Sequence, residues 1–227
     1  MQLINMRAFS DCTSLKTVEY AGSQDDWDRV GYYEDGNEQF LDAEIHFANL
    51  LTADKFADVS HDWAYDGINY CYTHRLMRGI DSDRFAPKLA TTRAQIVQIL
   101  YNLEGEPETS GWYPFVDLKQ DWYVNAVRWA YTKGVVSGTS ATTFDPDLPV
   151  TREQIAVILM GYADQILKLE HTWTPADLSS YPDAGSVSDW AKDALADAVA
   201  LGLISGASNG GQTYLDPQGS ATREQVA

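Results

Sequence analysis

Cysteine and basic residues are scarce in this chain, and both shortages exclude classes of protein. Its two cysteines, Cys12 and Cys71, cannot form a disulfide framework, and neither lies in a Cys-x-x-Cys pair of the kind that binds zinc. Lysine and arginine number 16 against 33 acidic residues, which gives a formal net charge of -17. Because nonspecific binding to nucleic acids or anionic membranes needs clustered basic side chains, we expect neither.

Long apolar runs are also missing. No stretch approaches the ~20 apolar residues that a membrane-spanning helix needs, so we expect no membrane insertion. The residues after Met1 lack the basic region and apolar core of a secretory signal. The 44% of hydrophobic and 12% of aromatic residues are nevertheless typical of a folded chain.

The C-terminal three quarters of the sequence contains one motif three times, and each copy combines the same short elements. An aromatic-x-Asp motif begins at Phe56, Phe115 and Tyr181. A tryptophan follows at Trp63, Trp122 and Trp190, and a glycine 16 residues later at Gly79, Gly138 and Gly206. A turn then contains Pro87, Pro146 and Pro217, and Thr-Arg-x-Gln starts at Thr92, Thr151 and Thr222. Such agreement predicts an internal structural repeat.

Each copy is expected to form a helix, a loop and a second helix. Thr-Arg-x-Gln has the capping-box pattern, in which threonine and glutamine side chains bond to backbone N–H groups at a helix start. Gly134 and Gly202 stand where a helix C-terminus needs positive φ, whereas Arg75 stands there in the first copy, so we expect a cost in stability or a different cap. We also expect the three motif tryptophans to lie in the core, because Trp122 shares a helical face with Ala126.

A helix pair of this size cannot bury its own apolar face, but three pairs can bury theirs together. We therefore predict a mainly α fold, a pseudo-threefold helical bundle with repeats at 54–106, 113–170 and 180–227. The third copy stops soon after Thr222, so we expect its second helix to be truncated and its groove to be incomplete.

These motifs resemble those of the S-layer homology (SLH) family, with glutamine in place of the usual final glutamate of Thr-Arg-Ala-Glu. The resemblance implies a three-pronged bundle with grooves that bind cell-wall carbohydrate, often a pyruvylated secondary polymer. It also implies that the motif arginine meets the acidic group of the ligand. The matching residues are Arg93, Arg152 and Arg223.

Chemistry gives these arginines a separate argument. Each lies in the first turn of a helix, beside unpaired N–H groups, and a guanidinium binds a carboxylate through two hydrogen bonds. Turns at Ser137-Gly138 and Ser205-Gly206 could add donors to a sugar. Because Arg75 alters the loop of the first copy, we expect a weaker site at Arg93. The alternative is that each arginine pairs with an aspartate of its own copy.

Residues 1–50 have a different pattern. The stretch from Ala8-Phe9 to Tyr20 resembles the last turn of a bacterial surface leucine-rich repeat of the Ala-Phe-x-x-Cys-x-x-Leu type. Residues 15–20 and 43–47 alternate as half-buried strands do, and 22–27 and 43–47 resemble capping strands. We expect a small β-rich cap that is truncated at its N-terminus, because solenoids need roughly three or more repeats.

We therefore predict a non-catalytic module that anchors an extracellular surface protein in the cell wall or S-layer, through secondary polysaccharide or modified peptidoglycan. The alternative is a protein-interaction or S-layer self-assembly module that contacts other surface proteins without binding carbohydrate. The four histidines have no catalytic or metal-binding spacing, and no cofactor is expected. Acidic turns at Asp81-Ser82-Asp83 and Asp145-Pro146-Asp147 lack the ligand spacing of a calcium loop, so we interpret them as turns.

Overall fold

A computed structural model describes residues 3–20, 27, 30–47 and 52–227. They form two compact units, Met1–Lys55 and Phe56–Ala227. Within the described residues the secondary structure is mainly helical, as predicted, with a few short strands. The α-helices are α1 (Glu38–Leu41), α2 (Tyr65–Thr73), α3 (Arg93–Leu103), α4 (Asp121–Thr132), α5 (Arg152–Tyr162), α6 (Lys192–Ala200) and α7 (Arg223–Val226). A π-helical turn, Ala163–Leu167, continues α5, and 3₁₀ turns span Ala53–Lys55, Leu178–Ser180, Ala184–Ser186 and Asp189–Ala191.

The first unit is built on two parallel strand pairs. Strand β1 (Leu3–Ile4) pairs with β3 (Gly31–Tyr32), and β2 (Thr17–Tyr20) pairs with β4 (Glu44–Phe47). The strands predicted at 15–20 and 43–47 are thus confirmed over β2 and β4, whereas residues 22–26 of the predicted cap lie outside the described residues. The buried Asn37 side chain donates to the carbonyls of Asn5 and Tyr33.

Local signals place the second helix of each copy as predicted. Thr92 and Thr151 form complete capping boxes, with Gln95 and Gln154 respectively, at the starts of α3 and α5. At α7 the Gln225 side chain accepts a hydrogen bond of 2.9 Å from the Thr222 N–H. The first turn of each of these helices is therefore stabilised by its own side chains.

The first helix of each copy ends in the same left-handed cap. Gly134 and Gly202 have φ of 76° and 71°, and Arg75 has φ of 60°. The N–H of the residue after each of them bonds to a carbonyl five residues back, as in Leu76 to Cys71 at 2.8 Å. Arg75 therefore adopts the cap that glycine favours, so of the two predicted consequences a different cap is not found and a cost in stability stays a prediction.

The third copy has an extra hairpin that accounts for its longer spacing between glycine and proline. Strands β5 (Ala207–Asn209) and β6 (Gln212–Tyr214) are antiparallel, and Gly210 and Gly211 at the turn both have positive φ. A two-residue turn of this kind fits the twist of a hairpin and favours glycine at both positions.

The core contains Trp129 but not the motif tryptophans. Trp129, Ala126 and Ala130 of α4 are buried, and so is Cys71 on α2. Burial raises the pKa of the Cys71 thiol to about 11, as expected of a small core residue. The prediction that Trp63, Trp122 and Trp190 lie in the core is wrong, because they are 68%, 47% and 59% exposed. They stand at or just before the start of a helix, and the side chain that enters the core there belongs to the next residue, Ala64, Tyr123 or Ala191.

A closed cycle of backbone hydrogen bonds joins the three copies. The Thr91 N–H donates to Ala221 at 2.9 Å, the Ala221 N–H to Val150 at 3.3 Å, and the Val150 N–H to Thr91 at 2.9 Å. All three residues are buried, and each directly precedes a Thr-Arg-x-Gln motif. The three motifs are therefore held close together.

Candidate functional site

The aspartate of each aromatic-x-Asp motif caps the proline turn of its own copy. Asp117 accepts hydrogen bonds from the N–H groups of Phe144 at 3.0 Å and Asp145 at 2.7 Å. Asp58 and Asp183 bind the equivalent N–H groups in the other copies. The middle residues of these turns, Ala86, Asp145 and Asp216, have positive φ. The aspartates thus hold a strained turn, and none forms an ion pair with a motif arginine in the described part of the chain.

Each motif arginine reaches into the next copy. The Arg93 side chain donates from Nε to the Phe144 carbonyl at 2.9 Å and from Nη2 to the Ser137 carbonyl at 3.2 Å. Arg152 makes the same pair of bonds to Leu215 at 2.8 Å and to Ser205. Arg93 of the first copy therefore stabilises the glycine loop of the second copy, and Arg152 of the second copy stabilises the glycine loop of the third.

Arg223 completes the circle by bonding back to the first copy. Its Nε donates to the Phe85 carbonyl at 2.9 Å and its Nη2 to the Arg78 carbonyl at 2.5 Å. The reason for expecting a weaker site at Arg93 does not hold, because Arg93 contacts the Gly134–Gly138 loop of the second copy and not the altered loop of its own copy. Arg223 is the residue that contacts the loop with Arg75.

Burial and neighbouring aspartates set the electrostatics of these guanidiniums. Arg93 and Arg223 are buried, and each packs over a phenylalanine ring, Phe144 at 4.7 Å and Phe85 at 4.5 Å. Loss of solvent lowers the pKa of all three motif arginines, and nearby aspartates oppose that shift. Two aspartates act on each of Arg93 and Arg152, whereas Asp58 alone acts on Arg223.

The helix N-termini themselves have no spare donors. The N–H groups of Arg93 and Ala94 donate to the carbonyls of Leu148 and Pro146, both at 3.0 Å. The starts of α5 and α7 are bonded in the same way to neighbouring copies. The expectation of unpaired N–H groups beside each arginine is therefore wrong, because the adjoining copy supplies their acceptors.

Gly79 and Gly138, which follow Arg78 and Ser137, each occupy a place that no added side chain could share. A Cβ at Gly138 would lie 2.5 Å from the carbonyl oxygens of Ser140 and Thr143 and 2.6 Å from the Phe115 ring. Gly79 is enclosed in the same way by the first copy. The loop thus folds tightly against the aromatic-x-Asp motif and presents the Ser137 carbonyl to Arg93.

Three grooves run beside these loops, and each is lined by all three copies. The Gly79 groove, of about 440 Å³, is lined by Arg78, Gly79, Gln98, Asn102, Trp122 and Arg223 among others. The Gly138 groove, of about 580 Å³, is lined by Ser137, Gly138, Val157, Gly161, Trp190 and Arg93 among others. The Gly206 groove, of about 330 Å³, is lined by Ser205, Gly206, Ile155, Gln225, Trp63 and Arg152 among others. These volumes are within the range of small-molecule sites.

The predicted site residues therefore meet in groups. Arg93 joins Ser137 and Gly138, Arg152 joins Ser205 and Gly206, and Arg223 joins Arg78 and Gly79. Sequence reasoning missed the tryptophan that each groove takes from a further copy, although its constant distance from the glycine was a signal.

Comparison with known proteins agrees with the repeated motifs. Residues 55–97, 114–156 and 180–227 match the S-layer homology domain. The chain belongs to the S-layer homology (SLH) domain family. Each of the three SLH matches spans one copy from its first motif to its Thr-Arg-x-Gln helix.

Relatives with SLH regions include both surface-layer proteins and enzymes. The Surface-layer 125 kDa protein of Lysinibacillus sphaericus is 35% identical over 82% of this chain and 15% of its own. Exoglucanase XynX of Acetivibrio thermocellus is 30% identical over 80% of this chain and 17% of its own. An amylopullulanase of Thermoanaerobacterium thermosulfurigenes is 25% identical over 99% of this chain and 12% of its own. The chain thus spans less than a fifth of these relatives.

One solved structure, an undecaheme cytochrome from the S-layer of Carboxydothermus ferrireducens, is 22% identical, with a TM-score of 0.31 over 61% of this chain and 20% of that one. In the described ranges, no helix has the length and apolar character needed to cross a membrane.

Proposed function

We propose that the SLH copies attach a bacterial surface protein non-covalently to the cell wall by binding wall carbohydrate in the three grooves. The observation that carries this proposal is the repeated combination of an exposed tryptophan, a tight glycine loop and an arginine in every groove. A tryptophan offers a large apolar face with a polar edge, which suits a sugar ring. The names of S-layer and cell-surface relatives agree with an extracellular position in the wall.

The motif arginines would have two roles in such a groove. Their bonds to carbonyls use Nε and Nη2, and Nη1 donates to none of the described residues. A guanidinium has five N–H donors, so the unused group can meet a ligand oxygen while the others hold the loop. Hydroxyl and carboxylate oxygens of a pyruvylated polysaccharide, or of modified peptidoglycan, are suitable acceptors.

The finer architecture is part of the same proposal. The cyclic contacts support a pseudo-threefold bundle in which the copies at 54–106, 113–170 and 180–227 depend on one another. The parallel pairing of β1 with β3 and of β2 with β4 supports a leucine-rich-repeat end at 1–50, since stacked coils pair their strands in parallel. We assign no catalysis to this segment, because the repeated residues are binding groups.

Cosedimentation with purified cell walls tests the function and separates it from the alternative of a protein-interaction module. We expect the chain to pellet with walls that retain their secondary polymer. Extraction of that polymer should abolish pelleting if the polysaccharide is the ligand, whereas the extracted walls should still pellet the chain if modified peptidoglycan is. If the chain pellets with neither component but binds purified S-layer protein, the carbohydrate proposal fails.

A further inference from the structure

The Gly79 groove has a second guanidinium at the position where both other grooves have serine. Arg78, Ser137 and Ser205 directly precede the second loop glycine, and their carbonyls accept the equivalent bonds from Arg223, Arg93 and Arg152. The side chains of Arg78, Ser137 and Ser205 therefore occupy equivalent positions in their grooves. Arg78 is exposed and lines its groove together with Arg223.

The Arg78 guanidinium has no competing partner. In the described part of the chain it forms neither an ion pair nor a hydrogen bond, whereas the nearby Arg84 is bound to Asp81 at 2.6 Å. Because an unpaired arginine keeps all five donors and its full charge, Arg78 is able to bind an anion.

The acidic residues of the turns also favour this groove. Asp145 and Asp216 oppose the charge of Arg93 and Arg152, but Ala86 takes their place in the first copy. Arg223 therefore has Asp58 as its one opposing aspartate. Against this advantage, the exposed Glu106 lines the Gly79 groove, whereas the described linings of the Gly138 and Gly206 grooves contain no carboxylate, so Glu106 has to be outweighed by the two guanidiniums.

The lining helix of the Gly79 groove is more polar than that of the Gly138 groove. Gln98 donates to Asn102 at 2.7 Å, and Asn102 donates to the Leu76 carbonyl at 3.0 Å. The equivalent positions in the Gly138 groove are Val157 and Gly161. Apolar side chains suit the neutral face or an acetyl methyl of a sugar, whereas amides suit a hydrogen-bonding ligand.

We propose that the Gly79 groove is the one that accepts the carboxylate of an acidic wall saccharide, and that Arg78 determines this specificity. The Gly138 and Gly206 grooves then bind neutral sugar units of the same polymer. The inference rests on the proposed function, and it reverses the ranking that the motif quality of each copy alone would give.

Site-resolved NMR titration tests it, because each groove has its own exposed tryptophan. The indole N–H signals of Trp122, Trp190 and Trp63 report the Gly79, Gly138 and Gly206 grooves respectively. The probe is a methyl hexoside that carries a pyruvate acetal, and the matched control is the isopropylidene acetal of the same hexoside, in which a methyl replaces the carboxylate. We expect the acidic probe to shift the Trp122 signal at lower concentrations than the other two signals. The neutral control should show no such preference for the Trp122 groove.

Three substitutions sharpen the test. Arg78→Ser installs the residue of the other copies. It should lower the affinity for the acidic probe, measured at the Trp122 indole signal, about ten-fold, as expected for the loss of hydrogen bonds to a charged group. Glu106→Gln should strengthen it, and Ser137→Arg should create a preference for the acidic probe at Trp190. These exposed substitutions are expected to change the affinity for the acidic probe in opposite directions, which general damage to the fold would not do.

Three results would overturn the inference. If Trp122 responds equally to both acetals, or if Arg78→Ser leaves its titration unchanged, Arg78 does not set specificity while saccharide binding by the grooves stands. If none of the three indole signals responds to either acetal or to wall fragments, the proposed function fails and the inference fails with it.

Discussion

At the scale of single residues, the motif arginines act first as braces between copies. Arg93 combines two bonds to carbonyls of the second copy with packing over Phe144. The motif predicts an arginine in the first turn of a helix, but its partners lie 44 and 51 residues away. Local sequence therefore indicates the position of the arginine in its helix but not the copy that its side chain contacts.

Replacing Arg93 with lysine should destabilise the second unit by about 2–3 kcal/mol, because lysine keeps the charge but cannot bond both carbonyls in the same geometry. Urea unfolding measures this change. Arg84→Lys is the matched control, since Arg84 is exposed and bonded to Asp81, and we expect no measurable change in stability there. Equal losses in the two variants would contradict a bracing role.

Thr91 offers a change in the opposite direction. Its hydroxyl is fully buried and has no hydrogen-bond partner in the described part of the chain, while Val150 takes the equivalent place in the second copy. Thr91→Val should stabilise the protein by about 1 kcal/mol, because an unsatisfied buried hydroxyl is replaced by a methyl group. Thermal unfolding checks it.

The control for Thr91 is its neighbour. Thr92→Val removes the hydroxyl that caps α3 and should cost about 1 kcal/mol. A destabilised Thr91→Val variant would indicate that this hydroxyl has a partner, such as a buried water.

At the scale of elements, the loop after α2 holds a non-glycine residue in a conformation that favours glycine. Arg75 has φ of 60°, and Asn102 donates to its carbonyl at 3.3 Å and to that of Leu76 at 3.0 Å. In the second copy, Gly161 takes the place of Asn102, and a Cβ there would lie 2.6 Å from the Val135 carbonyl oxygen, so the loop and the helix approach directly without such a bridge. The amide of Asn102 therefore supports the strained cap of the first copy.

Arg75→Gly should stabilise the second unit by about 1 kcal/mol, because glycine adopts positive φ without steric cost. Gly134→Ala should destabilise it by a similar amount at the equivalent cap. Chemical denaturation of both variants measures these changes. If Arg75→Gly lowers stability, contacts of the arginine side chain outweigh the strain of its backbone.

The elements also show what sequence can and cannot predict. Capping boxes at Thr92 and Thr151 and the cap at Gly134 depend on residues within a few positions, and all were predicted. The exposure of Trp122 was not, because Trp122 lines a groove whose other residues come from the first and third copies, which the periodicity of α4 does not reveal. The grooves were expected from the family, but their assignment to particular copies depends on contacts between distant residues.

At the scale of the whole molecule, the three copies of the second unit depend on one another to form their grooves. Each groove takes an arginine, a loop and a tryptophan from three different copies, so no copy can make a groove alone. The net charge of -17 opposes the approach of an acidic polymer, but screening at physiological salt limits that repulsion to about 8 Å. Local guanidiniums can therefore still decide binding.

The central claim is that the grooves with exposed tryptophans hold the protein on the wall. Cosedimentation of a triple variant, Trp63→Ala with Trp122→Ala and Trp190→Ala, tests it most directly. Trp112→Ala is the control, because Trp112 is 75% exposed and lines none of the three grooves. We predict that the triple variant loses wall binding by at least about ten-fold while the control binds as the parent does. Undiminished binding by a folded triple variant would contradict the account.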